Sequence, residues 1–158
     1  IISGQAEASY SGTLVLAETV VAATQRLYAL IPEARLPERV RRALAAAEEA
    51  IYANPADPRV NWDESHLAPW AAAAGLMVAC EREETTQEQW IAPDQVAQWF
   101  AARGAAGKPS YAEHLRQQLA EDEVAQVAAL YRQYLAGQTV SWKTTTLFLR
   151  FARQVKGS

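Results

Sequence analysis

The residues best suited to chemistry lie near the C-terminus: Trp142, Lys143, Arg150, Arg153 and Lys156, with Arg132 upstream. Residues 124–158 hold no acid and five bases, a local charge of +5 in a chain of formal net charge −3. Read as a helix capped by Ser141 and running to about Lys156, this segment places Lys143, Thr146, Arg150 and Arg153 within about 80° of one another. The resulting cationic stripe is about 15 Å long, with Leu147, Phe148, Phe151 and Val155 on another face toward the core. Cations with an interleaved hydroxyl suit the phosphates of DNA or RNA, where neutralisation releases counterions. They suit an acidic protein surface equally. A solvated face whose late cations favour the helix C-terminus also accounts for them. Trp142, beside Lys143, offers a stacking platform for a base or an anchor for a protein partner, and Trp62 is placed in the same way. Trp70, Trp90 and Trp99 fit a core.

Enzymatic groupings fail on spacing. Asp63-Glu64-Ser65-His66 holds the residue types for acid–base work, but neighbours on a helix point in different directions and form no triad. His114 reads as a boundary residue, and Cys80 as a small buried hydrophobe rather than a nucleophile. Glu48-Glu49 and Glu83-Glu84 read as solvated acidic pairs. There is no Gly-rich phosphate loop, GxSxG, HExxH, CxxC or EF-hand pattern, and two histidines with one cysteine make no zinc set. No catalytic residue, cofactor or metal is therefore expected. A second basic stripe, Arg35, Arg39 and Arg42, is offset by Glu38, which lies four residues before Arg42 and can pair with it.

The elements that position these residues read as mainly helical. The chain of 158 residues is half hydrophobic and 21% charged, which excludes a disordered polymer and allows a modest core. No apolar run reaches the roughly 18–20 residues of a membrane span. Twelve Arg against three Lys, with abundant Ala, fits a GC-rich bacterial genome. Ile at position 1 reads as a fragment or a processed end, with no signal peptide. Residues 1–10 read as loose. Leu16, Val20, Ala23, Leu27 and Leu30 form a stripe that predicts a helix from Ser11 to Ile31, ended by Pro32. A second helix starts near Pro37 and stops around Asn54-Pro55. A third covers Asp63 to Ala74, with Ser65 as its cap, Pro69 tolerable only in the first turn, and Gly75 closing it. Leu76–Glu83 and Gln89–Ala92 predict a β-hairpin at about 77–92, turned by Glu84–Gln87, before a helix opened by Pro93-Asp94.

Helix, glycine, hairpin, helix is the order of a winged helix, which residues 36–104 resemble in pattern alone. Its reading helix would present Asp63, Glu64, Ser65, His66 and Trp70, and its wing four glutamates against Arg82, so DNA would be repelled by both. After a linker at 104–109, Ser110 and Glu113 form a capping box. Glu121-Asp122-Glu123 opens a helix that stops at Gly137, and the last helix follows.

The expectation is thus a mainly α protein: a helical unit at 11–106 with a winged-helix-like centre, and a three-helix segment at 110–156 packed on it, the alternative being an all-α bundle. The function expected is that of a non-enzymatic, cytoplasmic subunit of a larger prokaryotic assembly. It would contact nucleic-acid backbone, without sequence readout, through Lys143, Arg150, Arg153, Lys156 and Arg132. The alternative is a protein–protein adaptor with an acidic centre and a basic end: residues 43–99 hold ten acids and two bases.

Overall fold

A computed structural model describes residues 12–104 and 108–153. The order of elements is β1 (Thr13–Thr19), α1 (Glu38–Tyr52), α2 (Glu64–Ala73), β2 (Leu76–Ile91), α3 (Pro93–Trp99), α4 (Tyr111–Leu115), α5 (Glu121–Tyr134) and β3 (Gln138–Arg153). Three short 3₁₀ turns lie between β1 and α1. Of the described residues, 43% are helical and 28% are in strands, so the fold is mixed α/β with a three-stranded antiparallel sheet, and neither mainly α nor an all-α bundle.

The correction centres on three segments. The expected last helix is the strand β3, which sits centrally in the order β1-β3-β2. Val140 and the run Thr144-Thr145-Thr146 are β-branched residues that lose rotamer freedom in a helix and pack well on a pleated surface. Burial follows period two: Thr145, Leu147 and Leu149 are buried while Phe148 and Arg150 are exposed. The expected hairpin at 77–92 is one unbroken strand, β2, paired with β3 from Leu76↔Arg153 to Ile91↔Gln138. Glu84–Gln87 contains no Gly, Asn or Pro to turn the chain, and Thr85 and Thr86 favour its continuation. There is no wing and no winged helix. The expected helix at 11–31 is β1 followed by 3₁₀ turns, because β3 offers its second edge to Thr13–Thr19 in the register Thr13↔Ala152 to Thr19↔Thr146.

Where local signals were strong, the elements stand as expected. Pro37 precedes α1, Pro93 opens α3, and Ser110 and Glu113 cap α4 reciprocally. Glu123 accepts from the Ala120 amide at the start of α5. Gly75 and Gly137 end helices at φ +71, a left-handed conformation that costs a residue with Cβ. At α2, Asp63 rather than Ser65 is the cap, and Pro69 lies beyond the first turn on the exposed face, where a carbonyl left without its donor meets water.

The two long strands connect two apolar clusters. One packs α1, α3, α4 and α5 around Leu44, Ile91, Val96, Leu115, Val127 and Tyr131, all at 0 or 1% exposure. The other joins Leu67 of α2 to Leu147 and Leu149 of β3 and to Val20. Side-chain burial of this kind contributes roughly 1.5–3 kcal/mol for each large aliphatic residue. Helix α2 covers one face of the sheet's outer end, and that coverage sets the candidate site.

Candidate interaction surface

A strand advances about 3.3 Å per residue and alternates its faces, so β3 takes the expected stripe apart. Lys143 and Arg153 share the face of Leu147 and Leu149 but stand ten residues apart, about 33 Å. Arg150 lies on the opposite face with Thr146, Phe148 and Ala152. Lys143 is bonded to Glu84 at 2.7 Å, and the same carboxylate holds Arg82, which also reaches Glu64. These cations keep the Glu84 carboxyl below its usual range. Arg132 is exposed on α5, and Lys156 lies outside the described residues. Trp142 is half-buried against the helical cluster, so it offers no platform.

Four of the tryptophans exchange their expected roles, and Trp99 keeps its place in the core. Trp62 packs beside the α2 cluster and Trp99 against the helical one, whereas Trp70 and Trp90 are 50% and 60% exposed. The stripe on α1 is paired throughout: Arg39 with Glu123, Arg42 with Glu38 as expected, and Arg35 over the Tyr134 ring at 5.8 Å.

Among the described residues, a group of exposed apolar side chains lies on the face of the sheet opposite α2. Register places Thr13, Val15 and Ala17 of β1, Phe148, Arg150 and Ala152 of β3, and Met77, Ala79 and Glu81 of β2 on it. Val15 is 66% exposed, Met77 52% and Phe148 42%. Two shallow depressions of about 370 and 390 Å³ flank Arg150; one is bordered by Phe148 and Glu81, the other by Met77 and Thr13. Among the described residues Arg150 has no ion-pair partner. The surface is therefore an apolar sheet with one central cation, next to a β1 whose seven residues are all exposed. Neither Val15, Met77 nor Phe148 was a candidate from sequence. The signal that would have found them is the strand-forming composition of residues 139–151, which puts Phe148 on the face opposite Leu147 and Leu149.

Among the described residues, the groups that carry acid–base chemistry are engaged in contacts that hold the fold. Glu48 is fully buried and accepts from Leu27 N at 2.7 Å, Tyr28 N at 3.0 Å and Tyr111 Oη at 2.7 Å, with Tyr131 Oη 3.0 Å beyond Tyr111. Burial pushes its carboxyl up against the pull of those hydrogen bonds and of Arg26. It borders none of the described cavities, so it acts as a brace between α1, the 3₁₀ turn at Tyr28 and α4. Beside it Arg26 donates to both oxygens of Glu49 and lies 3.8 Å from the Tyr52 ring centre. The Asp63 carboxylate accepts from Ser65 N, and His66 Nδ1 lies 3.3 Å from the Asp63 amide, so both serve the α2 terminus. Cys80 is exposed, contrary to expectation, but burial and the charge of Glu64 raise its thiol, which disfavours the thiolate. Among the described residues no three His, Cys, Asp or Glu side chains converge to hold a metal, and no helix is long and apolar enough to cross a membrane.

Comparison with protein-family models, with curated proteins and with solved structures gave no match.

Proposed function

We propose that the chain is a protein–protein interaction module, a non-enzymatic part of a larger assembly, that docks a partner on the open face of its sheet. The observation that carries this reading is the group of Val15, Met77 and Phe148 exposed around Arg150, on a sheet whose other face α2 occupies. Contiguous apolar surface with a polar centre is characteristic of recognition sites, since leaving it in water forfeits its burial. A lone exposed thiol suits a reducing compartment, and the cytoplasm is the compartment we assign. Among the described residues the cations of the nucleic-acid reading do not gather on one face: Lys143 is paired with Glu84 and Arg150 lies on the opposite face.

The test is a photocrosslinking residue placed at Ala79, within the face, and at Arg132 on α5 as a control, in cells that express the full chain. Discrete protein adducts from position 79 and none from 132 are expected; no adduct from 79 refutes the reading. Retention of random oligonucleotides that falls steeply with salt, and is lost in the Lys143→Glu, Arg150→Glu double variant, would restore the polyanion.

A further inference from the structure

Among the described residues the sheet has two outer edges, and they differ in charge. The β2 edge carries Glu81, Arg82, Glu83, Glu84 and Glu88, a net −3 over one strand, which repels a second copy of itself. The β1 edge, Thr13-Leu-Val-Leu-Ala-Glu-Thr19, carries one charge, is exposed over its whole length and is apolar on both faces. Every second residue of β1 turns its backbone N–H and C=O away from β3, and those groups are a template for one more strand.

We propose that a second copy of this chain supplies that strand, β1 pairing antiparallel with β1 of the other copy to form a continuous six-stranded sheet. The strand is self-complementary about Leu16. Centring a two-fold axis there sets Leu16 opposite Leu16, Val15 opposite Ala17, Leu14 opposite Glu18 and Thr13 opposite Thr19 of the other copy. This register keeps each apolar face on its own side. It also holds the two Glu18 carboxylates four residues apart, about 14 Å, beyond the roughly 8 Å screening length at physiological salt. Sliding the strands by two residues, to set Ala17 against Ala17, brings those carboxylates closer, and sliding by four sets them directly opposite. Of these registers the centred one is favoured by charge and keeps all seven residues of each strand paired. Edge pairing leaves the face around Arg150 uncovered and joins the faces of the two copies, so the inference stands apart from what docks there.

The test uses the purified full chain. Sedimentation over a wide concentration range should show a monomer–dimer equilibrium. Leu16→Lys, at a residue 36% exposed, should abolish the dimer by placing two ammonium groups at the axis, while circular dichroism, and the melting temperature at concentrations where the wild type is monomeric, stay unchanged. In a Cys80→Ser background, Leu16→Cys should form an intermolecular disulfide on oxidation, since directly opposed residues lie about 4.5–5.5 Å apart at Cα. Thr13→Cys should not, its partner lying about 20 Å away along the strand. A chain that stays monomeric, a dimer that survives Leu16→Lys, or a Thr13→Cys variant that crosslinks as readily as Leu16→Cys overturns the proposal. A monomer whose position 79 still crosslinks another protein overturns the second copy alone and leaves the docking face standing.

Discussion

Replacing Glu48 with Leu should be among the most costly single changes in this protein. The carboxylate accepts from Leu27 N and Tyr28 N, which have no other acceptor among the described residues, and it receives Tyr111 Oη as well. Leucine fills the space but accepts nothing, so two backbone donors lose their acceptor and the Tyr111 hydroxyl is left with Tyr131 Oη alone. Each stranded buried donor costs roughly 1–3 kcal/mol, and removing one side of a buried charged network typically costs about 3–5 kcal/mol in all. At about 2–4 °C per kcal/mol for a chain of this size, the melting temperature should fall by roughly 10 °C. Tyr111→Phe alone should cost about 1–2 kcal/mol, because it leaves Glu48 two of its donors and orphans Tyr131 Oη. In the Glu48→Leu background the same change should cost less, since the bond from Tyr111 to Glu48 is already lost and only the one to Tyr131 remains to be removed. Urea titrations of the four proteins measure this cycle. A Glu48→Leu variant within 1 kcal/mol of wild type, or costs that simply add, would refute the brace.

The same residue makes a pH prediction of definite sign. Burial raises the folded-state pKa of Glu48, so between its unfolded value, about 4.3, and the raised one the folded chain binds the extra proton. Stability contributed by that protonation is fully present below the unfolded value and is lost as pH rises through the folded one. The stability difference between wild type and Glu48→Gln should therefore shrink with rising pH across that window. The comparison is made as a difference because Glu49, Glu113 and Glu121 are held below the usual carboxylate range and act in the opposite direction. A difference that grows with pH would mean that the three hydrogen bonds outweigh burial.

Two further outcomes follow from single residues. Asp57, doubly bonded to Arg59, should titrate by carbon-detected NMR at about 2 and return toward 3.8 in Arg59→Ala; any stability it confers is present above its unfolded value and is lost as pH falls through about 2. Gly137→Ala should cost about 1 kcal/mol in urea titrations, from the positive φ alone, because the added Cβ comes no nearer to another atom than 4.0 Å.

Local rules transferred from sequence to structure wherever one residue's chemistry decided the matter. Pro37 and Pro93 at helix starts, the Ser110–Glu113 box, and Gly75 and Gly137 at helix ends all act within a turn of chain. Periodicity misled at both ends for one reason. Leu147, Phe148 and Phe151 lie on a helical face by spacing, yet β-branched Thr144–Thr146 favour a strand, and two other segments, β1 and β2, are available to pair with it. Pairing across 47 to 139 residues of chain leaves no local trace. The site was missed with the strand, because Val15, Met77 and Phe148 become neighbours only through that register.

The charge pattern takes a different meaning once the register is known. An acidic middle and a basic end read, along the chain, as two surfaces of opposed potential, one of them free for a polyanion. The ladder places the acidic stretch of β2 alongside the one cation of residues 141–148: Glu84 pairs with Thr145 and Thr86 with Lys143, which brings the Glu84 carboxylate to the Lys143 ammonium. Opposite charges on neighbouring strands favour one alignment over its slips, since a shift of two residues separates such a pair. That pair serves the register of the sheet, and β3 beyond it runs on without such a partner. There Arg150 lies opposite Ala79 and Val15, with no carboxylate directly across from it on either neighbouring strand, in the middle of an apolar face.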